Sequence, residues 1–109
     1  MIRNCSLVLF VLALSAAAPL RFVTLTVKDG GFEPKTLALP AGEKVRIVVA
    51  NETSGPVEFE SFSMHREQVV VAGAKITLFV GPLTPGTYDF FDDFHPGSKG
   101  IVAVSSAAR

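Results

Sequence analysis

The sequence predicts an all-β protein, a sandwich or barrel of about eight short strands. Three observations lead there. No stretch sustains the 3.6-residue hydrophobic period of an amphipathic helix. Apolar residues instead alternate with polar ones over short runs, as in a half-buried strand. Those runs are punctuated by Gly, Pro and Asn/Asp clusters at the spacing of β-turns. A chain of 109 residues suits one domain.

Taken in order, Phe22–Lys28 places Val23, Leu25 and Val27 on one face and Thr24 and Thr26 on the other. Asp29-Gly30-Gly31 reads as a turn. Thr36–Leu39 is a short strand closed by Pro40-Ala41-Gly42, and Lys44–Ala50 buries Val45, Ile47 and Val49. Asn51 to Pro56 is a polar loop, after which Val57–Ser61 resumes the extended pattern. Glu67–Val71 follows and ends at Ala72-Gly73, and Lys75–Val80 alternates through Ile76, Leu78 and Val80. Gly81 to Pro85 is a loop, Gly86–Phe91 a strand, Asp92–Lys99 a loop containing Pro96 and Gly97, and Gly100–Val104 the last strand.

Residues 1–17 have the pattern of a secretory signal peptide. Arg3 gives the positive start, Leu7 to Leu14 is an apolar run of eight, and Ser15-Ala16-Ala17 supplies small residues for cleavage after Ala17. That run is far short of the about 20 apolar residues needed to cross a bilayer. Cleavage leaves residues 18–109 as one domain without a membrane span and implies a periplasmic location. The single Cys5 lies before the apolar run, so it is not a lipid-attachment site, and it departs with the leader. The remaining domain has no disulfide and no thiolate ligand. Ten basic and ten acidic residues balance, leaving no electrostatic footprint for nucleic acid.

Phosphate loops, dinucleotide fingerprints and nucleophile elbows are missing from the sequence. Its candidates for chemistry are carboxylates, two histidines and Met64. The segment Tyr88-Asp89-Phe90-Phe91-Asp92-Asp93-Phe94-His95-Pro96 sets three carboxylates and an imidazole among aromatic rings. Carboxylate and imidazole donors together suit Cu(II), Fe, Mn or Zn, although on its chemistry alone the segment reads slightly better as a solvated acidic loop with His95 at the surface. In Val57-Glu58-Phe59-Glu60-Ser61, alternation sends Glu58 and Glu60 to one face, where like charges repel unless a cation or solvent intervenes. Met64 reads as a core residue or a soft copper ligand, His65 as a surface residue, and Glu33 as solvated or reaching a site.

The blocks DGGFEPKTLALPAGEKVRIVVAN, VEFES, REQVVVAG and GPLTPGTYDFFDDFHPGSKGIVAV occur in this order from Phe22 to Val104 together with the first strand. In this order and spacing the chain resembles a cupredoxin, and more narrowly the EfeO-type cupredoxin-like domain of bacterial periplasmic iron-uptake systems. The resemblance implies a Greek-key β-sandwich. Blue-copper cupredoxins bind through two His, one Cys and an axial Met, with a Cys-x-x-His spacing in the last loop. Here that spacing is Asp92-x-x-His95, the first His slot reads Val57 or Glu58, and Ser98-Lys99-Gly100 stands where the Met would come. A thiolate-copper site is excluded.

For the EfeO-type branch the resemblance implies an acidic site. Glu58 and Asp92 fall on its ligand positions, His95 keeps its place, Glu33 lies beside another, and Glu60 joins by alternation. The expected ligand set is therefore Glu58, Asp92, His95, Glu60 and Glu33, holding a copper or iron ion, with Phe90, Phe91 and Phe94 keeping the site partly dry. Met64 falls at a core position and His65 at a surface one. The function implied is metal binding accessory to iron uptake, with Fe(II) oxidation or the relay of metal or electrons to a partner. That partner would be a periplasmic iron-binding protein or a membrane iron permease. The alternatives are a metal chaperone without turnover and a metal-free interaction domain.

Overall fold

The computed structural model describes residues 21–106. Nine strands follow one another: β1 (Phe22–Lys28), β2 (Gly31–Glu33), β3 (Thr36–Pro40), β4 (Val45–Asn51), β5 (Val57–Ser61), β6 (Arg66–Val70), β7 (Lys75–Val80), β8 (Gly86–Asp92) and β9 (His95–Ser105). They form two sheets, ordered β2-β1-β4-β7 and β3-β9-β8-β5-β6. Most pairings are antiparallel, but β1 runs parallel to β4 and β3 parallel to β9. The result is a β-sandwich, as expected.

Alternation explains the packing. Leu25 and Val27 of β1, Val45, Ile47 and Val49 of β4, and Leu78 and Val80 of β7 line the inner face of one sheet. Val57 and Phe59 of β5, Val70 of β6, Phe90 of β8 and Val102 and Val104 of β9 line the other. Phe90 is central: its ring meets Phe32 edge-on at 4.9 Å and stacks on Phe59 at 5.4 Å. Met64 joins this core, whereas His65 is exposed with φ 54°.

Two segments depart from the sequence reading. Gly31 is not merely the end of a turn: it begins β2, which folds back on β1 with Lys28 opposite Gly31. Its φ of +114° is open to glycine and strained for other residues, and it makes the tight reversal possible. The second departure is at Asp92–Lys99, expected as a loop. Only Asp93 and Phe94 lie between β8 and β9, and Asp92 pairs with His95. The register then shifts, since Phe91 pairs with Lys99. Pro96, Gly97 and Ser98 are therefore the extra residues of a bulge, where proline's missing N–H costs the ladder nothing.

One end of the sandwich gathers the β1–β2 turn, the β4–β5 loop and the β8–β9 turn. Asn51, 1% exposed, shapes the middle element. Its Nδ2 donates to the carbonyls of Gly55 and Val70, both at 2.9 Å, and its Oδ1 accepts from the Thr53 N–H at 2.9 Å and hydroxyl at 2.7 Å.

Candidate functional site

The gathered end encloses a cavity of about 230 Å³ whose lining includes Val27, Thr53, Val57, Asp92, His95 and Ser98. Asp92, the last residue of β8, is opposite Phe59 and only 1% exposed. Opposed residues share a face, so its side chain points inward with that of Phe59. Its Oδ1 accepts two backbone hydrogen bonds at 3.0 Å, from the N–H groups of Glu58 and Phe94. Its Oδ2 lies 2.8 Å from Nδ1 of His95, whose ring is largely exposed. Both carboxylate oxygens are thus engaged within the protein.

Glu58 and Glu60 leave the other face of β5. Glu67 of β6 stands directly across from Glu60. The Asp93 N–H donates to the Glu58 carbonyl at 2.9 Å, which seats Asp93 beside Glu58. One carboxylate oxygen from each of Glu58, Glu60 and Asp93 lies within 4.8 Å of the other two. Glu58 is 8% exposed, and none of the ion pairs among the described residues reaches this cluster. Hydrogen bonding to Glu67, then burial and hydrogen bonding to Glu60, with repulsion from Glu67 and Asp93, push the Glu58 carboxyl up to about 7. A cation would relieve the repulsion that holds this proton in place.

The expected ligand set is therefore divided. Glu58 and Glu60 come together, but with Asp93, which the sequence reading did not include. Asp92 and His95 also come together, at the cavity on the other side of the same sheet. Glu33 joins neither group, because its Oε2 is held by Lys28 Nζ at 2.9 Å. The three phenylalanines do not frame one site either. Phe90 is core, Phe91 packs outward against Phe62 at 5.5 Å, and Phe94 is 46% exposed. The signal for Asp93 was its place after Asp92: β5 pairs antiparallel with β8, so the next residue outward falls beside Glu58. That register is not written in either segment alone.

Residues 4–104 match the family described as Cupredoxin-like domain. The chain belongs to the cupredoxin-like family. An uncharacterized protein of Rickettsia prowazekii is 36% identical over 84 residues, covering 76% of this chain and 67% of that protein. Chloroplastic plastocyanin of Physcomitrium patens is 32% identical over 107 residues, covering 86% of this chain and 63% of the plastocyanin sequence. This chain thus spans about two thirds of each relative's length. Among solved structures, the metal-binding domain of the Streptococcus pneumoniae Cu(I)-exporting P-type ATPase CopA superposes with a TM-score of 0.71 at 15% identity, covering 84% of this chain and 92% of that domain.

The donors at the gathered end do not fit a blue-copper ion. Val57, not Glu58, lines the cavity with Asp92 and His95, so of the two residues only an apolar side chain faces it. No cysteine lines the cavity, and the Asp92 carboxylate there is bonded through both oxygens. His95 is the single imidazole there. The outer cluster offers only carboxylate oxygens, which suit hard cations.

Proposed function

We propose that this cupredoxin-like protein is a metal-binding protein of the EfeO type that works at its outer-face carboxylate cluster, Glu58, Glu60 and Asp93. The observation that carries this reading is Glu58: nine-tenths buried, with two further carboxylates within ligand distance and no ion pair to any of the three among the described residues. Iron is the cargo this donor set favours. Oxygen anions gain more from a trivalent than a divalent cation, so such a site holds Fe(III) more tightly than Fe(II) and aids oxidation by dioxygen. The role is accessory to iron uptake in the periplasm, reached by removal of residues 1–17, which lie outside the described residues. The cargo passes to a periplasmic iron-binding protein or a membrane iron permease.

Copper is the second reading for the metal, and the Cu(I) of the similarly folded CopA domain supports it. The cluster offers Cu(I) none of the soft sulfur donors that this ion prefers. Titration calorimetry with Fe(II) under argon and with Mn(II) as a non-oxidising hard ion tests the proposal. The wild type should bind one ion, and Glu58→Gln and Glu60→Gln should each bind at least about 10-fold more weakly. Equal affinity in the variants would remove the cluster from consideration. Oxygen uptake on adding Fe(II) then separates an oxidase from a carrier without turnover, and no binding of any ion would favour an interaction domain.

A further inference from the structure

The buried Asp92 carboxylate has hydrogen bonds at both oxygens, and the proposed cluster does not use it as a ligand. What it holds is specific. Its Oδ1 accepts from Glu58 N–H on β5 and from Phe94 N–H in the β8–β9 turn, both at 3.0 Å. Asp93 sits between Asp92 and Phe94, and its own N–H donates to the Glu58 carbonyl at 2.9 Å. Both backbone polar groups of Glu58 are therefore tied to the 92–93 segment. The β5–β8 ladder contains only Phe59 opposite Asp92 and Glu60 opposite Phe91. At the Glu58 end, the link between these strands is the Asp92 clamp and the one Asp93 bond.

We infer that Asp92 is the positioning residue of the carboxylate cluster: its buried side chain fixes the main chain at Glu58 and Asp93, so that their carboxylates converge on the opposite face. His95 completes the clamp by engaging Oδ2, which leaves Oδ1 aimed at the two N–H groups. This rests on the cluster being the metal site. It alters the expected role of Asp92, which the resemblance makes a ligand. The geometric reason is that the Asp92 side chain points inward with that of Phe59, where its hydrogen bonds lie, whereas the carboxylates of Glu58, Glu60 and Asp93 converge on the outer face. In this fold the position that carries the metal-bound thiolate in blue-copper proteins carries, here, a hydrogen-bonding hub.

The charge and the hydrogen-bonding shape of Asp92 can be separated. Asp92→Asn keeps an oxygen that accepts from Glu58 and Phe94, and its amide can donate to Nδ1 of the neutral His95 ring. Asp92→Ala keeps neither. The test is Mn(II) titration of the full chain as wild type, Asp92→Asn, Asp92→Ala and Glu58→Gln, with NMR of the Glu58 and Phe94 amide protons on the same samples. Asp92→Asn should stay within about threefold of wild type and keep both amides slow to exchange. Asp92→Ala should lose about 10- to 100-fold in affinity and release both amides. If Asp92→Asn is as weak as Glu58→Gln while its amides stay protected, the charge is needed and Asp92 is a ligand, which overturns the inference. Wild-type affinity in Asp92→Ala overturns it as well. Should Asp92→Ala not fold, Asp92→Asn alone still decides between ligand and clamp. Failure of the site itself looks different: wild type and Glu58→Gln would then bind Mn(II) equally or not at all. In that case the Asp92→Ala spectrum decides, and unshifted Glu58 and Phe94 amides would refute the clamp.

Discussion

Metal binding at the carboxylate cluster should displace a proton from Glu58, and the number displaced should follow pH in a way the structure sets. The Glu58 carboxyl is pushed up to about 7 by Glu67, burial and Glu60. A group at that value is about 0.9 protonated at about pH 6, half protonated at about pH 7 and about 0.1 protonated at about pH 8. An ion that needs the carboxylate must expel that fraction, so its apparent affinity should rise about 10-fold between about pH 6 and about pH 8. Calorimetric titration with Mn(II) in buffers of different ionisation enthalpy counts the released protons directly. Glu58→Gln should abolish this pH-dependent release along with most of the binding.

The ion-free protein carries the opposite pH dependence. Because the folded-state value is raised above the usual 4.5, the folded chain binds this proton more tightly than the unfolded chain. Its stabilising contribution is complete below about pH 4.5 and is lost as pH rises through about 7. Urea melts of the apo protein should show that loss, and Glu58→Gln should not share it. The reasoning is refuted if binding releases no proton at about pH 6, or if the apo protein and Glu58→Gln respond identically to pH across this window.

Three further outcomes follow from particular contacts. A Cβ on Gly100 would collide with the Phe90 ring opposite it and lie 2.9 Å from the Lys35 carbonyl, so Gly100→Ala should cost about 1–3 kcal/mol in urea unfolding. Asn51→Ala strips the donors from the Gly55 and Val70 carbonyls and the acceptor from Thr53, and should cost about 2–4 kcal/mol by the same measurement. Cu(II) added to the protein freed of residues 1–17 should give a pale product without an intense thiolate-to-copper band, because no sulfur anion remains. An intense blue colour would refute the account of the donors at the gathered end.

Strand locations were largely legible in the sequence because side chains in a strand alternate with a period of two. Val23–Val27, Val45–Val49 and Ile76–Val80 each declare an inner face without reference to any other segment. Strand β2 was not legible, since three residues are too few to show a period; pairing with β1 makes it a strand. The 92–99 segment was misread because Pro and Gly signal a loop locally, whereas a bulge accommodates them within β9.

By itself, the sequence determined an all-β chain, the absence of a thiolate after residue 17, and the common face of Glu58 and Glu60 on one strand. The tertiary structure alone decided that Asp93 completes their cluster and that Asp92, its immediate neighbour, turns inward to hold it. Glu58 and Asp92 are 34 residues apart, and the sheet register brings them together. Adjacent residues on a pleated strand face opposite ways, so a one-residue difference in pairing would exchange the two aspartates between the interior and the outer face. The local sequence Asp92-Asp93 carries no mark of which way that choice falls. Burial of Phe59 and Phe90 against the opposite sheet fixes the register, and through it the site.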